Sequence, residues 1–228
     1  MASRQNNSNL VRDLVTEALA EVTGREIEDR DRSMDIFTDG SCLKNGRSWV
    51  DAGWGVCVRN SADLGDFYGA LPGNSQTSNR AELTALVVAL QLAWHSGRSW
   101  TRILPDSNLA CQGASNHDDE WAWRAALGMD GWLERWERQN WRTVSGRSVS
   151  HTDLWRKILE WLRRFSQAPG RRLEILHVRG HAGNKGNERA DDLAKLGSKL
   201  RYDIMSNKLS EDWMKRVKEL YWRNRRER

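Results

Sequence analysis

The chain has 228 residues, 39% of them hydrophobic, which is enough for one sizeable core, so one domain with extensions is expected rather than two domains. No stretch approaches about 18 consecutive apolar residues, and the first residues carry no apolar signal core, which argues against membrane-spanning and secreted classes. The formal net charge of +5 permits a polyanionic partner. The odd number of cysteines, three, without metal-like spacing, fits a reducing compartment, so we expect an intracellular protein, cytoplasmic or nuclear.

Residues 1–33 begin with a polar stretch and end in a charged one. Between them, apolar residues recur at helical spacing: Leu10, Leu14, Ala18 and Val22. Acidic residues within this segment argue against a mitochondrial transit peptide, which is poor in acids. We predict a peripheral helix followed by a linker.

Three strand-like segments follow, at 34–40, 54–60 and 64–71, and each is short and bounded by turn residues. Their succession predicts an antiparallel meander. The first segment, MDIFTDG, has a glycine that indicates a stop, so we expect Asp39 to end the strand, where its side chain can reach a cleft.

A helix is predicted from Asn79 to His95, with Glu82 in its first turn, where an acid also complements the helix dipole. The segment TRILPDSN then reads as a short strand that ends at Asp106, with a helix starting at Ser107. Strands alternating with helices indicate a mixed sheet with crossovers, in which ligands gather at the carboxyl ends of strands.

Residues 108–168 are the least regular part of the chain, because glycines interrupt the helical stretches. Three tryptophans here, Trp132, Trp136 and Trp141, lie among arginines and polar residues. Core packing and stacking on a base or sugar both remain open for each of them. A helix at 153–165 and a last strand in RLEILHVR, 172–179, complete the predicted sheet, and a further helix from about Ser210 leads to a basic tail.

The stretch VRGHAGNKGNERADDLAKL, 178–196, reads as a strand end, a glycine-rich loop and a helix. The loop carries His181, and Asn187 is a suitable N-cap for a helix beginning at Glu188. Asp191 would then lie in the first turn of that helix. The segment therefore brings a histidine and a carboxylate to one place.

Four motifs occur in a fixed order: TDGS at 38–41, TSNRAEL at 77–83, DS at 106–107 and GHAG…NERAD at 180–191. Together they resemble the motifs of the ribonuclease H family, type 1, over about 34–199. The resemblance implies an α/β ribonuclease H-like fold, a five-stranded mixed sheet flanked by helices. It also implies a catalytic domain at 34–200, with a Trp-rich handle and an insertion at about 114–147. Residues 1–33 and 201–228 would then be extensions, the second helical and basic.

The same resemblance implies the activity, which is endonucleolytic hydrolysis of the RNA strand of RNA/DNA hybrids, so an RNA/DNA hybrid is the expected partner. We expect a monomer with no membrane partner. It implies two Mg²⁺ ions, replaceable by Mn²⁺, and a histidine, His181, that assists product departure or proton transfer. The implied metal ligands and catalytic acids are Asp39, Glu82, Asp106 and Asp191. The implied substrate contacts are Gly40, Ser41, Thr77 and Asn79, with Trp132, Trp136 and Trp141 in a handle that touches the DNA strand.

Elementary electrostatics supports a metal site at the acids. Four carboxylates brought from distant parts of a chain repel one another and raise their own pKa values unless cations lie between them. Two Mg²⁺ ions roughly 3.5 to 4 Å apart can activate a water and stabilise the leaving oxygen of a phosphodiester. Such a cluster makes a poor structural element and a good metal site.

Three departures from the family pattern stand beside the resemblance. Pro105 replaces the usual threonine and removes a backbone N–H beside Asp106. Glu134 and Glu137 dilute the basic charge of the handle, and the segment before Trp132 is long. Two alternatives stay open: a non-catalytic module that binds hybrids or RNA, and a nuclease or integrase of the wider superfamily that acts on DNA.

Overall fold

The computed structural model describes residues 33–43, 51–61, 64–71, 75–114 and 132–205, the last five as helical backbone only. The helix predicted within 1–33, much of the insertion before Trp132 and the helix predicted from Ser210 lie outside the described residues. In chain order the described elements are β1 (Met34–Leu43), β2 (Asp51–Arg59), β3 (Phe67–Ala70), α1 (Ser78–His95), β4 (Trp100–Pro105), α2 (Asn108–Ala114), α3 (Trp132–Arg138), α4 (Thr152–Ser166), β5 (Arg172–Ile175) and α5 (Lys185–Met205).

The described strands form one five-stranded sheet in the order β3-β2-β1-β4-β5. The pairs β1–β2 and β2–β3 are antiparallel, whereas β1–β4 and β4–β5 are parallel. Helix α1 connects the edge of the meander, β3, to β4 on the other side of β1, which is the crossover that the alternation of strand and helix predicts. The α/β fold, the mixed sheet and the meander are confirmed.

Both faces of the sheet are covered by helices. The main core packs apolar residues of β1 and β2 against α1 and α4, including Ile36, Val56, Leu86, Leu90 and Ile158. A smaller cluster on the other face joins Phe37 and Cys57 of the sheet to Ala190 and Leu193 of α5. Within the described residues, no helix has the length and apolar character needed to cross a membrane.

Strand β1 does not end at Asp39, and that prediction was wrong. The strand continues to Leu43, paired with β2, and Gly40 does not stop it. The glycine serves a close approach of α1, since a Cβ at Gly40 would overlap the backbone N of Glu82 and lie 2.9 Å from Ala81 Cβ. What ends near Asp39 is the parallel pairing with β4, whose last pair is Thr38 with Pro105.

Helix α1 begins one residue earlier than predicted, at Ser78. The Thr77 hydroxyl caps it by accepting a hydrogen bond from the backbone N–H of Arg80 at 3.2 Å. Glu82 therefore lies beyond the first turn, contrary to the prediction, and dipole complementation does not explain it.

Helix α5 begins at Lys185, so the prediction of a start at Glu188 capped by Asn187 was wrong. Asn184 is the cap, because its Oδ1 accepts hydrogen bonds from the backbone N–H groups of Gly186 at 3.0 Å and Asn187 at 3.3 Å. Asp191 consequently lies past the first turn. The earlier cap leaves the Asn187 side chain available for another contact.

Strand β5 is shorter than the predicted 172–179 and ends at Ile175. Two further N–H groups still bond to β4, from Leu176 to the Ile103 carbonyl at 2.9 Å and from Val178 to the Pro105 carbonyl at 3.0 Å. Pro105 has no N–H to donate a hydrogen bond to the neighbouring chain, so regular strand pairing stops there. The chain nevertheless continues alongside β4. The path to the glycine-rich loop is thereby preserved.

Candidate active site

Three carboxylates from three different elements meet at one end of the sheet. One ligand oxygen from each of Asp39, Glu82 and Asp106 lies within 4.8 Å of the others. The register explains two of them, because Asp39 and Asp106 each directly follow the last parallel pair between β1 and β4. Gly40 explains the third, because it lets α1 approach closely enough for Glu82 to reach the same point.

The shared location raises the pKa values of Asp39 and Glu82. Burial, followed by the charge of Asp106, raises the pKa of Asp39 to about 7, although a hydrogen bond with Glu82 and the Gly40 N–H, donating at 2.7 Å, oppose the rise. Burial, followed by the charges of Asp39 and Asp106, raises the pKa of Glu82 well above its usual range. A cation bound between the carboxylates would favour their ionised forms.

Asp191 lies beside this group on α5 and does not belong to it in this structure. Its charge contributes to the raised pKa of Asp39, so the two carboxylates are electrostatic neighbours. The Asp191 Oδ2 accepts a hydrogen bond from Lys195 Nζ at 2.6 Å, one turn further along the helix. The structure thus brings three of the four predicted acids together and sets the fourth next to them, held by an ammonium group.

The donor set fits a hard divalent cation. The Glu82 Oε2 atom is buried, and no described residue gives it a hydrogen bond, which leaves a carboxylate oxygen with an unused acceptor site. Carboxylate oxygens are the ligands that Mg²⁺ and Ca²⁺ prefer, whereas no described thiol or imidazole belongs to the cluster. Asp39, Glu82 and Asp106 could hold such an ion.

His181 lies on the loop that precedes α5. Its side chain is exposed, and its backbone adopts a left-handed conformation with φ of 52°. The loop passes directly over Asp106, because a Cβ at Gly180 would lie 2.8 Å from Asp106 Oδ2. His177, which precedes the loop, makes a hydrogen bond from Nε2 to the Asp106 carbonyl oxygen at 3.1 Å. The loop therefore places His181 near the carboxylates without adding it to them.

The other predicted substrate contacts lie on two neighbouring elements. Gly40 and Ser41 continue β1 beyond Asp39, and the Ser41 carbonyl accepts a hydrogen bond from the Ser198 hydroxyl at 3.1 Å. Thr77 and Asn79 are exposed at the N-terminus of α1. Gly40 and Ser41 follow Asp39 on the same strand, and Thr77 and Asn79 precede Glu82 by five and three positions at the start of the same helix.

The tryptophans of the predicted handle have different environments. Trp141 is only 7% exposed and packs in the main core with the Arg156 guanidinium over its ring, so core packing accounts for it. Trp136 is half-buried, with its ring centroid 5.5 Å from that of Trp155. Trp132 is 38% exposed, and it lines a cavity of about 530 Å³ together with Trp136, Arg135, Gln139 and residues 143–145.

The acidic residues of this segment also have partners outside it. The Glu137 carboxylate accepts hydrogen bonds from the Arg163 guanidinium of α4, at 3.0 Å for the Oε1 contact. The negative charge of Glu137 therefore compensates the charge of Arg163 on α4, and not only that of Arg138. The net charge of the exposed surface around the cavity therefore depends on the other arginines of this segment, such as Arg135, which lines the cavity.

Comparisons of sequence agree with this geometry. The family model described as RNase H matches residues 31–199. A ribonuclease H of Nitrosomonas eutropha is 32% identical over 166 residues, 73% of this chain and 90% of that protein. The chain belongs to the ribonuclease H family. A ribonuclease HI of Neisseria meningitidis serogroup B, also 32% identical, is matched over 72% of this chain and 93% of that protein.

Solved structures of the family share the fold. LC9-RNase H1, described as a type 1 RNase H with the type 2 active-site motif, has 25% identity and a TM-score of 0.53, covering 74% of this chain and 72% of that chain. The solution structure of the PFV RNase H domain has 23% identity and a TM-score of 0.51, covering 73% and 94%. These likenesses confirm the ribonuclease H-like fold that the motifs implied. The family model and the relatives named above make the chain an enzyme of the ribonuclease H class.

Two residues of the site were missed in the sequence. Asn187, only 1% exposed, donates from Nδ2 to Asp106 Oδ2 at 3.2 Å, and Lys195 holds Asp191. Their spacing carries a signal, because 187, 191 and 195 are four residues apart and hence share one face of a helix. The preference of asparagine for N-caps hid the first of them.

Proposed function

We propose that this ribonuclease H hydrolyses the RNA strand of RNA/DNA hybrids endonucleolytically, with two divalent cations held by Asp39, Glu82, Asp106 and Asp191. Mg²⁺ suits the oxygen donors, and Mn²⁺ can replace it. The observation that carries the proposal is the convergence of three acids from three elements within 4.8 Å. A cluster that raises its own pKa values is costly to the fold and useful to a cation.

The four acids have distinct parts in this proposal. The charges of both Asp106 and Asp191 act on Asp39, which supports Asp39 as the carboxylate that two cations would share. Glu82 and Asp106 complete one position, and Asp191 completes the other. Bound there, the cations would supply a nucleophilic water and stabilise the leaving oxygen.

The position of His181 supports a role in turnover. The residue is exposed on a loop beside Asp106, so it can reach a leaving group or a water without taking a place among the acids. In this proposal it assists product departure or a proton transfer, as an imidazole can do near neutral pH.

Recognition of a hybrid needs contacts to both strands. The RNA strand differs from DNA locally in its 2′-hydroxyl groups, and in this proposal the Gly40–Ser41 backbone and Glu82 contact them. Thr77 and Asn79 would hold the DNA strand at the exposed start of α1. Trp132 is exposed beside its cavity, which supports assigning to it the stacking contact with that strand.

We propose residues 34–200 as the catalytic domain, acting as a monomer, with 1–33 and 201–228 as extensions. The sheet and the four acids all fall within this range. The family match over 31–199 has nearly the same limits and supports this division.

A cleavage assay on RNA/DNA, RNA/RNA and DNA/DNA duplexes of one sequence, with Mg²⁺ or with chelator, tests the activity. Internal cuts in the RNA strand of the hybrid, only with Mg²⁺, are expected. Binding of the hybrid without cleavage would instead indicate a non-catalytic module. Cleavage of DNA/DNA would indicate an enzyme of the wider superfamily that acts on DNA.

A further inference from the structure

Asn187 occupies a place where its polarity is not needed for the helix. It is the third residue of α5 and only 1% exposed, while Asn184 carries out the capping of that helix. Its Oδ1 is buried and accepts no hydrogen bond from the described residues. A buried amide that is only half satisfied adds little to stability, so the other contact of this amide is the one that matters.

That contact is to a carboxylate of the active site. The Asn187 Nδ2 donates to Asp106 Oδ2 at 3.2 Å, across 81 positions of sequence. The direction of the bond follows from the chemistry, because an ionised carboxylate only accepts and the amide nitrogen is the donor that can meet it. The bond joins α5 to the end of β4.

The surroundings of Asp106 restrict it on the same side. A Cβ at Gly180 would lie 2.8 Å from Asp106 Oδ2, so the loop backbone lies against the oxygen that the amide holds. His177 bonds to the Asp106 backbone carbonyl at 3.1 Å. Asp106 lies just beyond the paired residues of β4. The contacts with Asn187, Gly180 and His177 therefore hold it in place of strand pairing.

We propose that Asn187 is a positioning residue that orients the Asp106 carboxylate for cation binding. By holding Oδ2, the amide sets the side-chain torsion of Asp106 and hence the direction of both oxygens. Asn187 and Asp191 share one face of α5, so the same helix placement adjusts two of the four acids together. This inference rests on the proposed function, since it assigns Asp106 to a cation.

The test compares Asn187→Leu, which removes the donor at similar size, and Asn187→Ala, which removes it without overpacking. The control is Glu188→Gln, an exposed neighbour on the same helix. Mg²⁺ affinity is measured calorimetrically on the full chain without substrate. Both Asn187 variants should bind Mg²⁺ about 10- to 100-fold more weakly, as is typical when the hydrogen-bond partner of a ligand is lost. The control should remain within about twofold.

Stability and kinetics separate positioning from a structural role. The variants should keep their thermal unfolding midpoints in chelator, and kcat lost at low Mg²⁺ should recover at high Mg²⁺ with KM for the hybrid unchanged. Unchanged Mg²⁺ affinity in both folded variants would overturn the inference, and so would a lowered midpoint with no recovery. Wild-type protein that neither binds Mg²⁺ nor cleaves hybrids would instead refute the proposed function.

Discussion

Gly55 lies directly opposite Asp39 in the β1–β2 ladder, on the strand against which α5 packs. A Cβ at Gly55 would overlap the Ala190 carbonyl oxygen and lie 2.5 Å from the Ala194 N. The helix can therefore lie on the sheet at this point only because a glycine is there. Asp191 follows Ala190, so this packing sets the distance between the fourth acid and Asp39.

Replacing Gly55 by alanine should push α5 away from the sheet. We expect a loss of about 1–3 kcal/mol in the free energy of unfolding, the usual range for an overpacked contact. Weaker Mg²⁺ binding should accompany it because Asp191 moves with the helix. Denaturant unfolding and calorimetry measure the two effects. Gly65→Ala is the control, since no atom lies within 4 Å of a Cβ there. Equal stabilities of the two variants would contradict the packing argument.

The metal-free protein should lose stability as pH rises through the titration of Asp39. Its pKa is raised from 3.8 to about 7 in the folded state, mainly by burial, so folding favours the protonated acid. This contribution is full below about pH 4 and is lost as pH approaches 7. Asp39→Asn should therefore stabilise the chelated protein by about 1–3 kcal/mol more at pH 8 than at pH 5.

Chemical unfolding in chelator at the two pH values measures the difference. Asp192→Asn, an exposed carboxylate on α5, is the matched control and should show no such pH-dependent gain. If Asp39→Asn gave the same increment at pH 5 and pH 8, Asp39 would not be the strained acid of the cluster.

His181→Ala should slow turnover by about 10- to 10³-fold, the scale of a general acid–base or product-release contribution. The Mg²⁺ midpoint should stay the same because the exposed ring lies outside the acid cluster. Steady-state rates over a Mg²⁺ titration measure both quantities. A large shift of the midpoint would place His181 among the metal ligands instead.

The tryptophans of the handle should separate into binding and packing roles. Trp132→Ala should weaken hybrid binding by roughly 1–3 kcal/mol, the value of a stacking contact, with little effect on stability. Trp141→Ala should cost on the order of 3–5 kcal/mol of stability, because that ring is buried in the core. Binding of the hybrid, followed by fluorescence, and the thermal unfolding midpoint should be measured for both variants to test these two roles. Unaltered binding in Trp132→Ala would mean that the DNA strand is held elsewhere.

Local patterns predicted the sheet well. Strands β1, β2 and β3 and helices α1 and α4 were recognisable because each has turn residues at its ends and a clear apolar period. The starts of α1 and α5 were missed because neighbouring residues, Thr77 and Asn184, supply the caps, whereas the end of β1 was missed because of contact with a distant element. Gly40 looked like a stop because sequence does not show that α1 packs against it.

The same limit applies to the active site. The four acids and His181 were predicted through their motifs, but the side-chain geometry that relates them was not. Asn187 satisfied the local rule for a helix cap, and only the folded chain shows that its amide reaches Asp106, 81 positions away. The environment of Trp141 depends likewise on α4, whose Arg156 covers its ring.

Asp39 is the central carboxylate of the proposed hydrolytic metal site. Cleavage and binding of one RNA/DNA hybrid should therefore be measured in Mg²⁺ for wild type, Asp39→Asn and the control Asp192→Asn. We predict that Asp39→Asn abolishes cleavage while hybrid affinity is kept or increased, because a negative charge is removed from the binding surface, and that the control cleaves normally. Full cleavage by Asp39→Asn, or by wild type in excess chelator, would contradict the account.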